Sequence, residues 1–344
     1  MQKIIIDSDW GSDVLQLTSI LLARPGQYEV IGATVTFGNA SHDQNLANAG
    51  ALLRLLGVDG KVPRFAGARA PSGQMAPPEG DGAHGSTGLG EIILPPAQSE
   101  PDSRPVVDFL IETLEKEPEG SVTLIATAPQ TNLAEAIRRS PQVMQRLKEI
   151  RIMGGCTQPM PGYRVDKHLN RVSEIQIQRC GNITEWAEFN FQQAPEDAAT
   201  VLKSGIPVSL FPMNCTHQMT FTPEREALLH STFADEPELA AKLVPLLSIP
   251  RVIDRQKFDI DPTLHDVHTT LAMVAPELYQ ARQGKVTIAT DSALDNYGET
   301  SFYPDPAGVH TVYESILDPD AAFVLLLEAL KQTLNRNEAL ACAS

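Results

Sequence analysis

The sequence has few cysteines, and their arrangement does not predict a metal site or a disulfide framework. The 344 residues include four cysteines, Cys156, Cys180, Cys215 and Cys342, and no two of them form a CxxC pair. Cys156 and Cys180 could bracket a loop, but small buried thiols are the interpretation we favour. This usage excludes a disulfide-rich secreted domain and is typical of a reducing compartment.

Long hydrophobic runs and excess positive charge are also missing. No apolar run approaches the ~18 residues of a membrane-spanning helix, and no charged-then-apolar leader precedes the first strand. The chain has 27 Lys and Arg against 43 Asp and Glu, a net charge of −16, which would repel nucleic acid and anionic membranes. We therefore expect a soluble, cytoplasmic protein that binds a small molecule, with no nucleic-acid or membrane partner.

The remaining composition is that of a folded α/β protein. Hydrophobic residues make up 42% of the chain, enough for a large core. Short β-branched runs alternate with helical patterns through the first two thirds. The predicted strands are KIIID, YEVIGATVTF, VPRFAG, SVTLIAT, EIRIMGG and IPVSLFPM. This alternation predicts a mostly parallel sheet with helices on both faces.

Three stretches interrupt the alternation, at about 71–95, 157–180 and 223–262. Loops of this length inside a compact domain are usually functional, so we predict that they act as lids. Because we find no internal repeat and no linker, we predict one domain over residues 1–344.

Polar residues cluster where the predicted strands end. Asp7, Asp9 and Asp13 come at or after the end of the first strand. Ligands of parallel sheets bind beyond the carboxyl ends of the strands, where carboxylates need a proton or a cation to neutralise them. Oxygen ligands of this type suit Ca²⁺ or Mg²⁺. For Asp13 alone, capping of the next helix is the alternative interpretation. Further polar residues at strand ends or at the start of later helices are Asn39, Thr131, Asn190, His265 and Asp266.

The motifs around these residues resemble those of the inosine–uridine-type nucleoside hydrolase family. The family pattern D-x-D-P-G-x-D-D is similar to residues 7–14, DSDWGSDV. Further similar segments follow in the family's order along nearly the whole chain: FGN, NLANAGALLRLLG, FAGA, HGSTGLG, APQTNLAEAI, RIMGG, GNITEWAEFNFQQAPEDAA and LHDVHTTLAMVAPELY. The resemblance implies an α/β sandwich with a Rossmann-like core. It also implies hydrolysis of the N-glycosidic bond of ribonucleosides, or of a related ribosyl compound, to ribose and base.

The resemblance also implies a cofactor and roles for individual residues. Ca²⁺ would hold the attacking water and the ribose hydroxyls, with Asp9, Asp266 and the Thr131 carbonyl as metal ligands. Asp9 would be the general base as well. The ribose-binding residues would be Asp13, Asn39, Asn182, Glu188 and Asn190.

The same resemblance implies three residues near the leaving base, His84, His265 and Phe189. An imidazole could protonate the departing base, which makes His265 a candidate catalytic acid. The alternatives are a packing role for His265 and a solvated loop position for His84. A homodimer or homotetramer is implied as well.

Val14 departs from the family pattern, because the fourth acid of that pattern is normally a metal ligand. An ungapped alignment places Val14 there. A one-residue deletion instead gives Asp13 the metal position and Ser12 the ribose position. Either alignment removes one carboxylate, so we expect weaker Ca²⁺ binding. The alternative function is therefore a protein that binds a nucleoside or ribosyl ligand with little or no turnover.

Overall fold

The computed structural model describes residues 1–78, 84–90, 92–166, 168, 170–177 and 181–334. For residues 175–177 it describes the backbone only. A nine-stranded sheet runs through its centre, in the order β10-β9-β11-β8-β5-β4-β1-β2-β3. All neighbouring pairs from β11 to β3 are parallel, while β9 runs antiparallel to β10 and β11. The predicted fold class is therefore confirmed.

The described residues form eleven strands, of which six coincide with the predicted apolar runs and five, within 160–177 and 279–316, were not predicted. They are β1 Gln2–Ser8, β2 Tyr28–Val35, β3 Arg64–Ala66, β4 Val122–Ala126, β5 Glu149–Met153, β6 Met160–Val165, β7 Arg171–Ile177, β8 Val208–Phe211, β9 Tyr279–Ile288, β10 Thr300–Pro304 and β11 His310–Ile316. Strands β6 and β7 form a separate antiparallel hairpin.

Helices cover the sheet between these strands. They are α1 Asp13–Leu22, α2 His42–Leu55, α3 Val106–Lys116, α4 Thr131–Arg139, α5 Pro141–Met144, α6 Phe189–Gln192, α7 Pro195–Leu202, α8 Met213–Thr216, α9 Pro223–Thr232, α10 Pro237–Leu247, α11 Arg251–Ile253, α12 His268–Val274 and α13 Pro319–Thr333. A π-helix, Asp254–Phe258, follows α11, and a 3₁₀ helix spans Pro276–Leu278.

Successive side chains of β1 point to opposite faces of the sheet, and each face has its own part of the hydrophobic core. Ile4 and Ile6 pack with α1, α2, α10, α12 and α13, whereas Ile5 packs on the opposite face with α3, α4 and α7. A strand buried on both faces needs a continuous apolar run, which explains the three successive isoleucines.

The order of the strands fixes where a site can form. Strand β1 pairs with β2 on one side and with β4 on the other, so the chain reverses its direction of progress across the sheet at β1. In open parallel sheets a crevice forms at such a reversal, beyond the carboxyl ends of the strands. The acids that follow β1 lie at this crevice.

The three interrupting stretches take different forms. Residues 157–180 contain the β6–β7 hairpin, and 223–262 contain α9, α10, α11 and the π-helix. Residues 71–95 contain no helix or strand among those described, and 79–83 and 91 lie outside the described residues. Their function as lids remains a prediction.

The cysteines differ in part from expectation. Cys156 is disulfide-bonded, whereas Cys215 is a buried free thiol. Cys180 and Cys342 lie outside the described residues. The expectation of free thiols is therefore wrong for Cys156. Among the described residues, no helix is both long and apolar enough to cross a membrane.

Candidate active site

Three buried aspartates meet at the crevice beyond β1. Asp9 follows the strand directly, Asp13 is the first residue of α1, and Asp266 lies in the loop before α12. Their exposed fractions are 2%, 7% and 6%. Residues far apart in sequence are thus brought together by the carboxyl edge of the sheet and the start of two helices.

Burial raises the pKa values of all three carboxyls, and the charges of neighbouring carboxylates add to the shift for Asp9 and Asp266. Burial raises the pKa of Asp9 to about 7, and the Asp13 charge contributes in the same direction. The pKa of Asp266 is raised well above its usual range, by burial first and then by the charges of Asp13 and Asp9. Burial also raises the pKa of Asp13. Three acids that disfavour each other's ionisation make a site that gains from a positive charge.

The donor set fits a hard divalent cation. Within the described part of the chain, no lysine or arginine forms an ion pair with Asp9, Asp13 or Asp266. Thr127 lines the same cleft as Asp13 and Asp266, and its hydroxyl donates to Ser8 Oγ at 3.0 Å. Clustered carboxylate and threonine oxygens are ligands that Ca²⁺ and Mg²⁺ prefer.

Thr131, predicted to supply a metal-binding carbonyl, lies elsewhere. It is the first residue of α4, and its hydroxyl donates to Asp197 Oδ2 at 2.7 Å. It is not among the residues that line the cleft, whereas Thr127, at the end of β4, is. The physical reason is the three-residue turn between them, which carries the chain away from the strand end and into the helix.

The turn after β1 determines which acid reaches the cleft. Asp13 lines the cleft and accepts a hydrogen bond from Gln16 Nε2 at 3.2 Å. Val14 is 1% exposed and packs in the hydrophobic core, and Ser12 is buried away from the lining. Val14 therefore contributes to packing, and of residues 12 to 14 only Asp13 lines the cleft.

Asp9 is held by the loop that follows β2. Its Oδ2 accepts the backbone N–H of Asn39 at 2.8 Å. A Cβ built on Gly38 would lie 2.1 Å from the same oxygen, and Gly38 has φ +156°. Only glycine permits this close approach of backbone to carboxylate.

The predicted ribose-binding residues all line one cleft. Glu188 caps α6, because its carboxylate accepts the backbone N–H groups of Asn190 at 2.9 Å, Phe191 at 3.3 Å and Gly155 at 2.7 Å. Asn190 donates to the Met153 carbonyl at 3.0 Å. The full lining comprises Asp13, Asn39, His84, Thr127, Met153, Asn182, Glu188, Phe189, Asn190, Pro250, Ile253, Asp254, His265 and Asp266.

The predicted base-side residues line the same cleft. His265 Nδ1 lies 2.7 Å from the Thr216 hydroxyl, which fixes the orientation of the ring. Burial lowers the pKa of His265 well below its usual value, and the neighbouring His217, His268 and His84 lower it further. Phe189 and Asn182 are linked, since the Phe189 N–H donates to Asn182 Oδ1 at 2.8 Å.

His268 has a structural position. It is fully buried, with Nδ1 2.8 Å from the Tyr279 hydroxyl, and burial lowers its pKa to about 3.

Several lining residues were not predicted from the sequence. Thr127, Met153, Pro250, Ile253 and Asp254 all face the cleft. The position of Thr127 at a strand end was an available signal. Met153 is the last residue of β5 and had the same signal. Pro250, Ile253 and Asp254 had none, because a short helix and the π-helix after it bring them to the cleft.

Comparison with known proteins agrees with this geometry. A family model described as "Inosine-uridine preferring nucleoside hydrolase" matches residues 4–323. The chain belongs to this family. It is thus a nucleoside hydrolase, an N-glycosidase that acts on ribonucleosides, as the motifs predict.

Individual relatives cover most of this nucleoside hydrolase. An uncharacterised protein of Schizosaccharomyces pombe is 32% identical over 296 residues, 85% of this chain and 86% of that protein. Uridine nucleosidase 1 of Arabidopsis thaliana is 29% identical over 290 residues, 84% of this chain and 79% of that protein. The solved structure of a plant nucleoside hydrolase superposes with a TM-score of 0.77 at 26% identity, covering 96% of this chain and 98% of that one.

Proposed function

We propose that this nucleoside hydrolase works with a divalent cation of the calcium type bound by Asp9, Asp13, Asp266 and Thr127. The observation that carries the proposal is the group of three buried carboxylates with no lysine or arginine ion pair among the described residues. When bound, the cation would neutralise these charges and lower the pKa of an attacking water. This set replaces Thr131 by Thr127 and includes Asp13 among the ligands.

Asp9 is proposed as the general base. Its Oδ2 accepts the Asn39 N–H at 2.8 Å, which fixes the orientation of the carboxylate. A carboxylate held in place can accept a proton from a water that attacks the ribose C1′. The surrounding negative charge would stabilise the positive charge that develops on the sugar as the C–N bond breaks.

Asn39, Asn182, Glu188 and Asn190 are proposed to bind the ribose hydroxyls, which are donors that amide and carboxylate oxygens accept. The Asn190 amide nitrogen already donates to Met153, so its oxygen is the atom suited to a hydroxyl. Asp13 could serve a hydroxyl in addition to the cation.

His265 is proposed as the acid that assists departure of the base, with His84 and Phe189 beside the base. The Thr216 contact at Nδ1 leaves Nε2 as the nitrogen that can reach a leaving group. A neutral imidazole with Nε2 protonated can donate this hydrogen bond.

The test is a panel of purine and pyrimidine ribonucleosides assayed with metal-free protein and added Ca²⁺ or Mg²⁺. We expect turnover that needs the cation, and a loss of at least about 100-fold in kcat for Asp9→Asn, since a general base contributes about 10²–10⁴-fold. Asp295→Asn, at an exposed position, is the matched control and should keep full activity. The absence of turnover on every nucleoside, with metal saturating, would refute the proposal.

The alternative of a binding protein without turnover has no observation in its favour. It would be supported only by nucleoside binding in the panel without hydrolysis. A homodimer or homotetramer and a cytoplasmic location remain proposals that rest on the family resemblance and the composition. Light scattering of the purified protein tests the first.

A further inference from the structure

A second group of potential metal ligands includes Asp254 and His265, which line the cleft, and His217 behind them. His217, Asp254 and His265 each offer one ligand atom, and these atoms all lie within 4.8 Å of one another. An ion at their centre would be at most about 2.8 Å from each atom. Movements of under about 1 Å would therefore bring them to the 2.0–2.2 Å of zinc sites.

His265 is oriented as a metal-ligating histidine usually is. Its Nδ1 is engaged with the Thr216 hydroxyl at 2.7 Å, so its Nε2 is the ligand atom. A hydrogen bond to the second ring nitrogen typically fixes both the ring and its tautomer in metal sites.

His217 provides an independent observation. Both of its ring nitrogens are shielded from solvent, and neither has a hydrogen-bond partner in the described part of the chain. The ring packs edge-on against Phe258 at 4.7 Å and is tilted against His265 at 5.4 Å. Two unsatisfied nitrogens on one shielded ring are costly, which calls for a ligand that the protein itself does not supply.

Asp254 supplies the carboxylate from an unusual backbone. It begins the π-helix Asp254–Phe258, is 3% exposed, and its Oδ2 accepts the Thr263 N–H at 2.6 Å. Single π-helical turns often occur at functional sites, because they redirect a side chain that a regular helix would point elsewhere.

We propose that His217, Asp254 and His265 bind a divalent transition metal of the zinc type, at a site separate from the carboxylate site of Asp9, Asp13 and Asp266. Imidazole ligands select Zn²⁺, Co²⁺, Ni²⁺ or Cu²⁺, whereas the all-oxygen site selects Ca²⁺ or Mg²⁺. Two histidines and one carboxylate leave a fourth position open, here towards the cleft. Resting on the proposed function, one consequence is inhibition, because a metal on His265 Nε2 removes the group that assists the leaving base.

The experiment measures binding and needs no turnover, so an inactive protein would not affect it. Metal-free protein is first saturated with Ca²⁺ and then titrated with Zn²⁺ by calorimetry. Co²⁺ is added in parallel, and its visible absorption reports nitrogen ligands. We expect one Zn²⁺ per chain and a Co²⁺ spectrum of low coordination number.

Variants locate the site. His217→Gln and Asp254→Asn should each weaken Zn²⁺ binding by at least about 100-fold, because loss of an outer partner alone costs about 10–100-fold. Thr216→Val keeps all three ligands and should weaken binding by about 10–100-fold. His230→Gln, on the exposed side of α9, is the matched control and should bind as the wild type does.

Two results would overturn the proposal. One is no Zn²⁺ binding once Ca²⁺ is saturating, which would mean that the two metals share the aspartate site. The other is unchanged Zn²⁺ binding in His217→Gln and Thr216→Val, which would move the zinc elsewhere. Retained binding in Asp266→Asn would support two separate sites.

Discussion

The buried carboxyl of Asp9 should destabilise the metal-free protein at neutral pH. The free energy of unfolding of the Asp9→Asn variant, compared with the wild type, should measure this effect. Burial raises the pKa of Asp9 from 3.8 to about 7. Between these pH values the folded protein holds a proton that the unfolded chain has lost, so stability falls as pH rises. At 1.36 kcal/mol per pKa unit, the shift of about 3 units corresponds to about 4 kcal/mol.

Asparagine keeps the side-chain shape and can still accept the Asn39 N–H, but it does not ionise. In chelator, the variant should therefore become progressively more stable than the wild type as pH rises. The gap in the free energy of unfolding should grow by about 3 kcal/mol between pH 5 and pH 7, and then level off. Urea unfolding at intervals of half a pH unit, followed by circular dichroism, measures this gap.

Calcium should reduce the difference in free energy of unfolding between Asp9→Asn and the wild type, because only the wild type retains the full ligand set. A ligand present at 100 times its Kd stabilises the folded state by about 2.7 kcal/mol. Asp295→Asn, at an exposed position, should follow the wild-type pH curve throughout. Parallel pH curves for Asp9→Asn and the wild type in chelator would refute the assignment of a buried, cation-dependent carboxylate.

Four other substitutions test the remaining assignments. Val14→Asp should destabilise the protein by about 3–5 kcal/mol in urea unfolding, because it places an unpaired charge in the core and restores no metal ligand; a gain in Ca²⁺ affinity would contradict this. His265→Ala should lower kcat on nucleosides by about 10²–10⁴-fold yet spare a nitrophenyl riboside, whose leaving group needs no proton, whereas His268→Ala should chiefly lower the unfolding temperature; equal losses on both substrates would argue against an acid role. Thr131→Val should cost about 1–3 kcal/mol of stability, because it removes the hydrogen bond to Asp197, and should leave Ca²⁺ affinity unchanged in calorimetry.

Six strands of the sheet, β1 to β5 and β8, and polar residues at their carboxyl ends could be predicted because local sequence determines them, whereas β9, β10 and β11 were not predicted. Apolar runs such as Ile4–Ile6 mark strands that are buried on both faces, and parallel order gathers their ends at one edge. Asp9, Asn39, Glu188 and Asp266 meet there, far apart in sequence but each placed by its own strand or helix start.

The other residues near the cleft could not be predicted, because the spacing of residues in the sequence does not specify the path of a turn or a π-helix. Thr127 and Thr131 are four residues apart in one motif, and only the path of the turn decides which of them faces the cleft. Asp254 reaches the cleft through a π-helix, a backbone form with no sequence period of its own. His217 follows the end of β8 by six residues, so its position near a strand end was the one signal available for it.

The two departures in the first motif can be understood as one structural change. Trp10 stands where the family pattern has proline, and its φ of +48° is a value that proline cannot adopt. The ring is fully buried and its Nε1 donates to the Thr34 carbonyl at 3.0 Å, which anchors the turn against β2. Trp10 and Val14 belong to the same hydrophobic cluster. A turn fixed by apolar packing on both sides of Asp13 leaves that carboxylate facing the cleft. Under the proposed function, the loss of the fourth acid would therefore change the ligand set without removing the site.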